Sequence, residues 1–288
     1  MKTFDRKGPL YMFAASVLWS FGGLCIKFIP WSALSIIGMR SLLAAAVFII
    51  YRRSAKIEFT LGNVLAALCL SSTSILFVFA NKLTTAAAAI LLQFSAPIFI
   101  ILIQLVFYRK KPKPSEAIAV SITILGMLLF FADHLEAGGM LGNILAITSG
   151  LTFAGVFVCN ERPDVKPEQS LLLGFLINTV IGAPFVFAGS TADPIAWGSV
   201  VFLGVVQVGI AYIFFSVGIK RTSALLACLI TAIEPVLNPI WVALATDELP
   251  GRYAIAGGIV IVATVVCYNV WLEMKQKQKK ADTSDTPT

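Results

Sequence analysis

Asn81-Lys82-Leu83-Thr84-Thr85-Ala86, followed by Ala96-Pro97 and Pro112, returns roughly 138 positions later as Ile219-Lys220-Arg221-Thr222-Ser223-Ala224, Glu234-Pro235 and Pro250. In that alignment Lys82 falls on Lys220, Thr84 on Thr222, Pro97 on Pro235 and Pro112 on Pro250. One structural unit has been used twice. If each unit holds an odd number of membrane spans, the two must cross the bilayer in opposite senses. From that antisymmetry many carriers build two alternating gates around one site.

The membrane setting follows from composition. The chain is 58% hydrophobic and 13% charged, against roughly 45–50% and 25% in soluble domains. In lipid such a sequence is stable as helices, which pair every backbone polar group within their own segment. The alternating ten-residue pattern of a membrane barrel is absent.

Charges, prolines and polar clusters divide the chain into ten apolar stretches. They run from Pro9 to Phe28, Trp31 to Tyr51, Leu61 to Ala80, Thr84 to Phe107, Ser115 to Ala132, Met140 to Val158, Ser170 to Gly189, Ile195 to Gly218, Ser223 to Ala245 and Gly251 to Trp271. Each is near the roughly 20 residues a helix needs to cross hydrocarbon. The first is as long as a full span, which argues against a cleavable leader. The expected fold is an all-α membrane protein of ten transmembrane helices in two inverted five-helix repeats, 1–137 and 138–274, with a polar tail over 275–288 read as disordered.

The formal charge of +7 resides in short loops between apolar runs, not on a polar face with interleaved aromatics, so a nucleic-acid partner is not expected. With the N-terminus inside, the cytoplasmic segments hold Arg52, Arg53 and Lys56, then Arg109, Lys110, Lys111 and Lys113, and further clusters at Arg162 and Lys166, Lys220 and Arg221, and the C-terminal lysines. The external loops hold only Lys82 and Arg252. Both termini are therefore expected in the cytoplasm. The five cysteines are scattered singly through apolar segments without CxxC spacing, so neither metal nor disulfide framework is expected. No phosphate-binding loop, selectivity filter or convergent catalytic cluster is present, and no cofactor or enzymatic activity is expected.

Glu234 is the one carboxylate in the interior of a predicted span, where burial of a charge costs roughly 2.5–3.5 kcal/mol. It either faces a central cavity, binding a cationic group or exchanging a proton with it, or it pairs permanently with Arg40. Arg40 lies near the centre of the second span and stays protonated, so it needs an anion or water. A substrate carboxylate is one option and a brace to Glu234 the other. Pro97 and Pro235 each remove a helical hydrogen bond, freeing the carbonyls of Gln93 and Thr231, and paired helix breaks in opposed halves point to a central site. Gln93, Ser95, Thr231 and Asn238 lie within about two turns of these prolines. Trp19, about mid-span, with Phe94, Tyr212 and Trp241, supplies candidate aromatic walls, while Asn178 and Gln207 read as interhelical glue.

These residues resemble the EamA-type branch of the drug/metabolite transporter superfamily. The resemblance rests on Leu18-Trp19-Ser20 to Lys27, Met39-Arg40-Ser41-Leu42-Leu43-Ala44-Ala45, Thr84-Thr85-Ala86-Ala87 to Pro97, Thr222-Ser223-Ala224 to Glu234-Pro235-Val236, and Asp247-Glu248-Leu249-Pro250. It covers the whole chain before the tail. Where the family commonly closes the first repeat with a glutamate, this chain has Arg109-Lys110-Lys111-Pro112.

The resemblance implies ten spans in inverted halves and carriage of amino acids, metabolites or small drugs. The expected function is secondary transport, by alternating access, of a small polar or amphipathic metabolite such as an amino acid, amine or drug-like compound. Export across the cell inner membrane is the expected direction, with proton coupling resting on Glu234. The substrate-binding set is Glu234, Trp19, Gln93, Phe94, Asn238 and Arg40, with Pro97 and Pro235 as helix breaks. The expected partners are a small-molecule substrate and the lipid bilayer, with the chain acting as a monomer. The alternatives are uncoupled facilitation or uptake and, more remotely, a lipid-handling subunit or membrane-embedded enzyme.

Overall fold

Backbone groups in hydrocarbon must pair within their own segment, and in the computed structural model the described residues form helices joined by turns and loops. Those residues are 7–22, 25, 29–84, 86–132, 139–189, 193–246 and 251–284. In chain order the helices of the first half are α1 (Lys7–Trp19), α2 (Ala33–Arg52), α3 (Leu61–Leu83), α4 (Ala86–Gln93), α5 (Ala96–Tyr108) and α6 (Pro114–Phe130). The second half holds α7 (Met140–Glu161), α8 (Pro167–Gly189), α9 (Pro194–Phe202), a π-helical segment Leu203–Ile210, α10 (Ala211–Ile219), α11 (Ala224–Thr231), α12 (Ile233–Thr246) and α13 (Arg252–Ser284).

Among the described residues, seven helical stretches are long and apolar enough to cross a membrane, and Pro114–Phe130 and Ala224–Leu237 are shorter apolar helices. The protein is a multi-pass membrane protein.

Helix starts follow local chemistry. Ser32, Thr60 and Ser223 each accept a hydrogen bond from the backbone N–H three residues on, capping α2, α3 and α11. Asp193 caps α9, with Pro194 in the first helical position. The two described non-glycine residues with positive φ, Arg53 and Arg109 at 51°, end α2 and α5. Both bring a cation to the negative end of a helix dipole.

Helix α13 runs on through Ser284, into the polar stretch that begins at Lys275. Its continuation past the apolar run has a local cause. Lysine, glutamine and alanine are good helix formers, and the Lys275 ammonium lies 4.8 Å above the Trp271 ring one turn back.

The packing is symmetric under exchange of the halves. The α3–α7 pair maps onto the α10–α1 pair, and α4 and α5 on α7 map onto α11 and α12 on α1. The α2–α8 and α6–α13 pairs each map onto themselves.

Both self-mapped crossings use glycine to bring backbones together. A Cβ placed on Gly38 of α2 would lie 2.8 Å from the Gly182 Cα of α8, and one on Gly257 of α13 would lie 2.5 Å from the Gly126 carbonyl oxygen of α6. Because backbone cannot swing aside as a side chain can, Gly38→Ala must push α2 from α8. A loss of about 1–3 kcal/mol is expected, read as a lowered midpoint in thermal unfolding of the detergent-solubilised protein.

Candidate functional site

The helical run is interrupted just before each of the two prolines. Phe94 and Ser95 form a turn between α4 and α5, and Pro97 stands in the first turn of α5. Ala232 separates α11 from α12, with Pro235 the third residue of α12. In both copies a hydroxyl bonds back along the chain, Ser95 Oγ to the Leu92 carbonyl at 2.6 Å and Thr231 Oγ1 to the Cys228 carbonyl at 2.7 Å. A proline without an N–H weakens the continuation of a preceding helix and is well suited to begin a new one.

The breaks meet. Phe94 and Ala232 belong to one apolar cluster with Met127, Phe130 and Phe131, and α11 packs on α5. Phe94 is thereby buried in that cluster. The Gln93 amide donates to Ser149 Oγ of α7 at 3.2 Å, and Gly150 leaves room for the Gln93 carbonyl. The side chain of Asn238 lies outside the described residues.

Glu234 enters at the second position of α12, at the positive end of that helix's dipole. Arg40 stands in the middle of α2, and Arg40, Tyr212 and Glu234 lie within electrostatic range of one another. Among the described residues, Arg40 and Glu234 form no direct ion pair and no side-chain hydrogen bond. Both residues are half-buried. A charge held within the bundle without a protein partner is satisfied only by water or a polar solute.

Aromatic rings wall this region. Trp19, 5% exposed, lies 4.9 Å from the Tyr212 ring and 5.7 Å from Phe215. Just beyond the end of α1, Phe21 stacks on Trp241 at 4.7 Å, and the Trp241 indole donates to Ser20 Oγ at 2.7 Å. The end of the first span is thus held by α10 on one side and α12 on the other.

The π-helical segment adds a contact that a 3.6-residue periodicity cannot reveal. Gln207, within it, donates to the Trp19 carbonyl at 3.1 Å, in space kept open by Gly22. The Gln207 side-chain carbonyl oxygen and the Trp19 indole N–H are both buried without a partner among the described residues. Gly204, in the same segment, lets the π-helix approach the Arg40 backbone, since a Cβ there would be 3.0 Å from the Arg40 carbonyl oxygen. Asn178 does act as interhelical glue, accepting from Ser71 Oγ of α3 at 2.7 Å.

A separate polar network ties the loop after α2 to the loop before α8. Lys166 Nζ donates to the Glu58 carboxylate at 2.6 Å, and the Gln169 amide oxygen accepts from the Glu58 backbone N–H at 2.8 Å. Asn63 joins both loops, donating to the Glu58 carbonyl at 2.8 Å and accepting from the Lys166 N–H at 3.0 Å. These donors hold the exposed Glu58 carboxyl below the usual carboxylate range, the Lys166 hydrogen bond acting most strongly. Sequence reading misses this network because Glu58 and Lys166 are ordinary loop residues and Asn63 and Gln169 ordinary polar residues of a first helical turn until the helices align them.

A family model described as "EamA-like transporter family" matches residues 6–132 and again 140–270. An "Uncharacterized transporter" of Archaeoglobus fulgidus is 22% identical over 215 residues, covering 70% of this chain and 74% of that protein. The "Uncharacterized transporter YwfM" of Bacillus subtilis is 25% identical over 178 residues, 59% of this chain and 60% of its own length. A solved structure described as "Crystal structure of protein" superposes with a TM-score of 0.75 at 20% identity, over 90% of this chain and 94% of that one. That likeness concerns the fold.

Proposed function

This chain belongs to the EamA-like transporter family, and from that premise we propose that it is a secondary carrier for a small metabolite bearing a cationic group. Amino acids, amines and amphipathic drug-like compounds fit this description. The observation that carries the reading is that Glu234 and Arg40, half-buried within the bundle and near one another, do not pair, and that the touching rings of Trp19 and Tyr212 lie beside them; we take these groups to line the substrate space. Glu234 receives the substrate ammonium, or a proton in its place, and Arg40 faces a carboxylate or other anionic group. The rings enclose the apolar part, and Tyr212 and Trp19 favour a cation lying over their faces.

Transport proceeds by rocking the halves 1–137 and 138–274 about this space, in ten spans of inverted topology. The symmetric pairing of helices under exchange of the halves supports this division. The broken fourth and ninth spans supply the moving pieces, and the Glu58–Lys166 network closes the end of the bundle that carries the basic loops. With those loops cytoplasmic, both termini are cytoplasmic and the carrier exports from the cell across the cytoplasmic membrane as a monomer.

A thermal-shift screen of the purified chain against amino acids, amines, nucleobases and drugs tests the reading. A cationic or zwitterionic ligand is expected to raise the unfolding midpoint, with stabilisation of about 2.7 kcal/mol at a hundredfold excess over Kd. Stabilisation confined to ligands without a cationic group would overturn it.

A further inference from the structure

We propose that the groove between α12 and α13 holds one acyl chain of an anionic phospholipid, with Arg252 taking the lipid phosphate. The groove encloses about 640 Å³ and is lined entirely by apolar and small residues. It exists because α13 packs along α6 but touches α12 at few points. Val236 and Ile240, one turn apart on α12, form one wall, and Phe130 lies at its base.

The floor is a single stripe of α13. Ile255, Ile259, Val262 and Val266 all line the groove, and they follow Arg252 at helical spacings of three, seven, ten and fourteen, so the guanidinium heads the same face. The four apolar side chains are 52%, 64%, 37% and 53% exposed, which in a membrane means open to lipid. Arg252 itself is exposed, 5.0 Å above the Tyr253 ring, and no described carboxylate pairs with it.

Length and charge select the occupant. From Ala254 to Cys267 the groove runs about 20 Å along the helix axis, enough for one chain through a leaflet of about 15 Å of hydrocarbon. A wholly apolar slot headed by one cation that no described carboxylate pairs matches a chain below a phosphate, and it offers nothing to a polar solute. Because α12 also carries Glu234, a chain wedged against Val236 and Ile240 sets the position of the element that bears the candidate binding carboxylate.

Native mass spectrometry tests this without any transport measurement, so it stands or falls apart from the carrier reading. The full chain is equilibrated in micelles containing phosphatidylglycerol and phosphatidylcholine of identical chains, then stripped. One retained lipid is expected, with phosphatidylglycerol favoured about fivefold, the preference one basic residue near the surface confers. Ala263→Phe, which fills the groove from its open side, should lose the retained lipid. Arg252→Gln should keep a lipid but bind both types alike, and inorganic phosphate should not displace it. Undiminished retention in Ala263→Phe, or an unchanged lipid preference in Arg252→Gln, would overturn the proposal. The arginine variant keeps the test decisive should the groove-filling one fold poorly.

Discussion

Glu234→Gln is expected to abolish pH-driven transport in proteoliposomes while leaving substrate counterflow detectable. The substitution keeps shape and hydrogen-bonding reach but removes both the charge and the exchangeable proton. If Glu234 receives a substrate ammonium, the loss of a charge-assisted hydrogen bond worth about 1.5–3 kcal/mol weakens binding roughly ten- to hundredfold. Stability is the second readout. Removing one partner of a buried ion pair costs about 3–5 kcal/mol, but Glu234 and Arg40 form no direct pair. The variant should therefore unfold at or above the wild-type midpoint. A pH profile identical to wild type would remove the coupling role and leave an uncoupled facilitative carrier.

Arg40 yields the second large effect. Arg40→Gln leaves Glu234 as the lone charge of the space, and a zwitterionic substrate should lose at least tenfold in apparent affinity, about 1.4 kcal/mol, while a simple amine loses less. Arg40→Lys keeps the charge but not the planar two-pronged geometry that suits a carboxylate, and should recover only part of the loss. The exchange Arg40→Glu with Glu234→Arg is expected to fail. It would place a cation in the first turn of α12, where the dipole favours an anion. Restored expression and transport by that exchange would instead establish the two residues as a brace.

The broken helices were readable from the chain because proline acts locally. Pro97 and Pro235 lack the N–H that a helix interior needs, which favours a break near each, although Pro184 stands inside α8 without one. Seeing that the breaks fall at Phe94-Ser95 and at Ala232, and that Phe94 and Ala232 then share one cluster, required the packed bundle. Glu234 and Arg40 were conspicuous for a similar reason, as charges within apolar runs. That they come near one another and do not touch is a property of how α2, α10 and α12 are placed.

Packing adds partners that polarity alone does not name. Gln93, marked as a site residue by its polarity and its place beside a break, donates its amide to Ser149 of α7. Gln207 gains a partner as well. Read as glue, it holds the end of α1 from a π-helical turn, and its second amide atom is left unpaired.

The sequence by itself determined that this protein is a duplicated, helical, membrane-embedded chain, whose copies share prolines and differ where Ala96 stands against Glu234. These are properties of single segments: their length, apolarity and missing N–H groups. Only the tertiary structure decided which helix faces meet, at the Gly38–Gly182 crossing, around Arg40, Tyr212 and Glu234, and along the groove of α12 and α13. The physical reason is that lipid is as apolar as the bundle interior. Hydrophobic patterning therefore carries little information about inside and outside, and close packing with interhelical hydrogen bonding settles the partners.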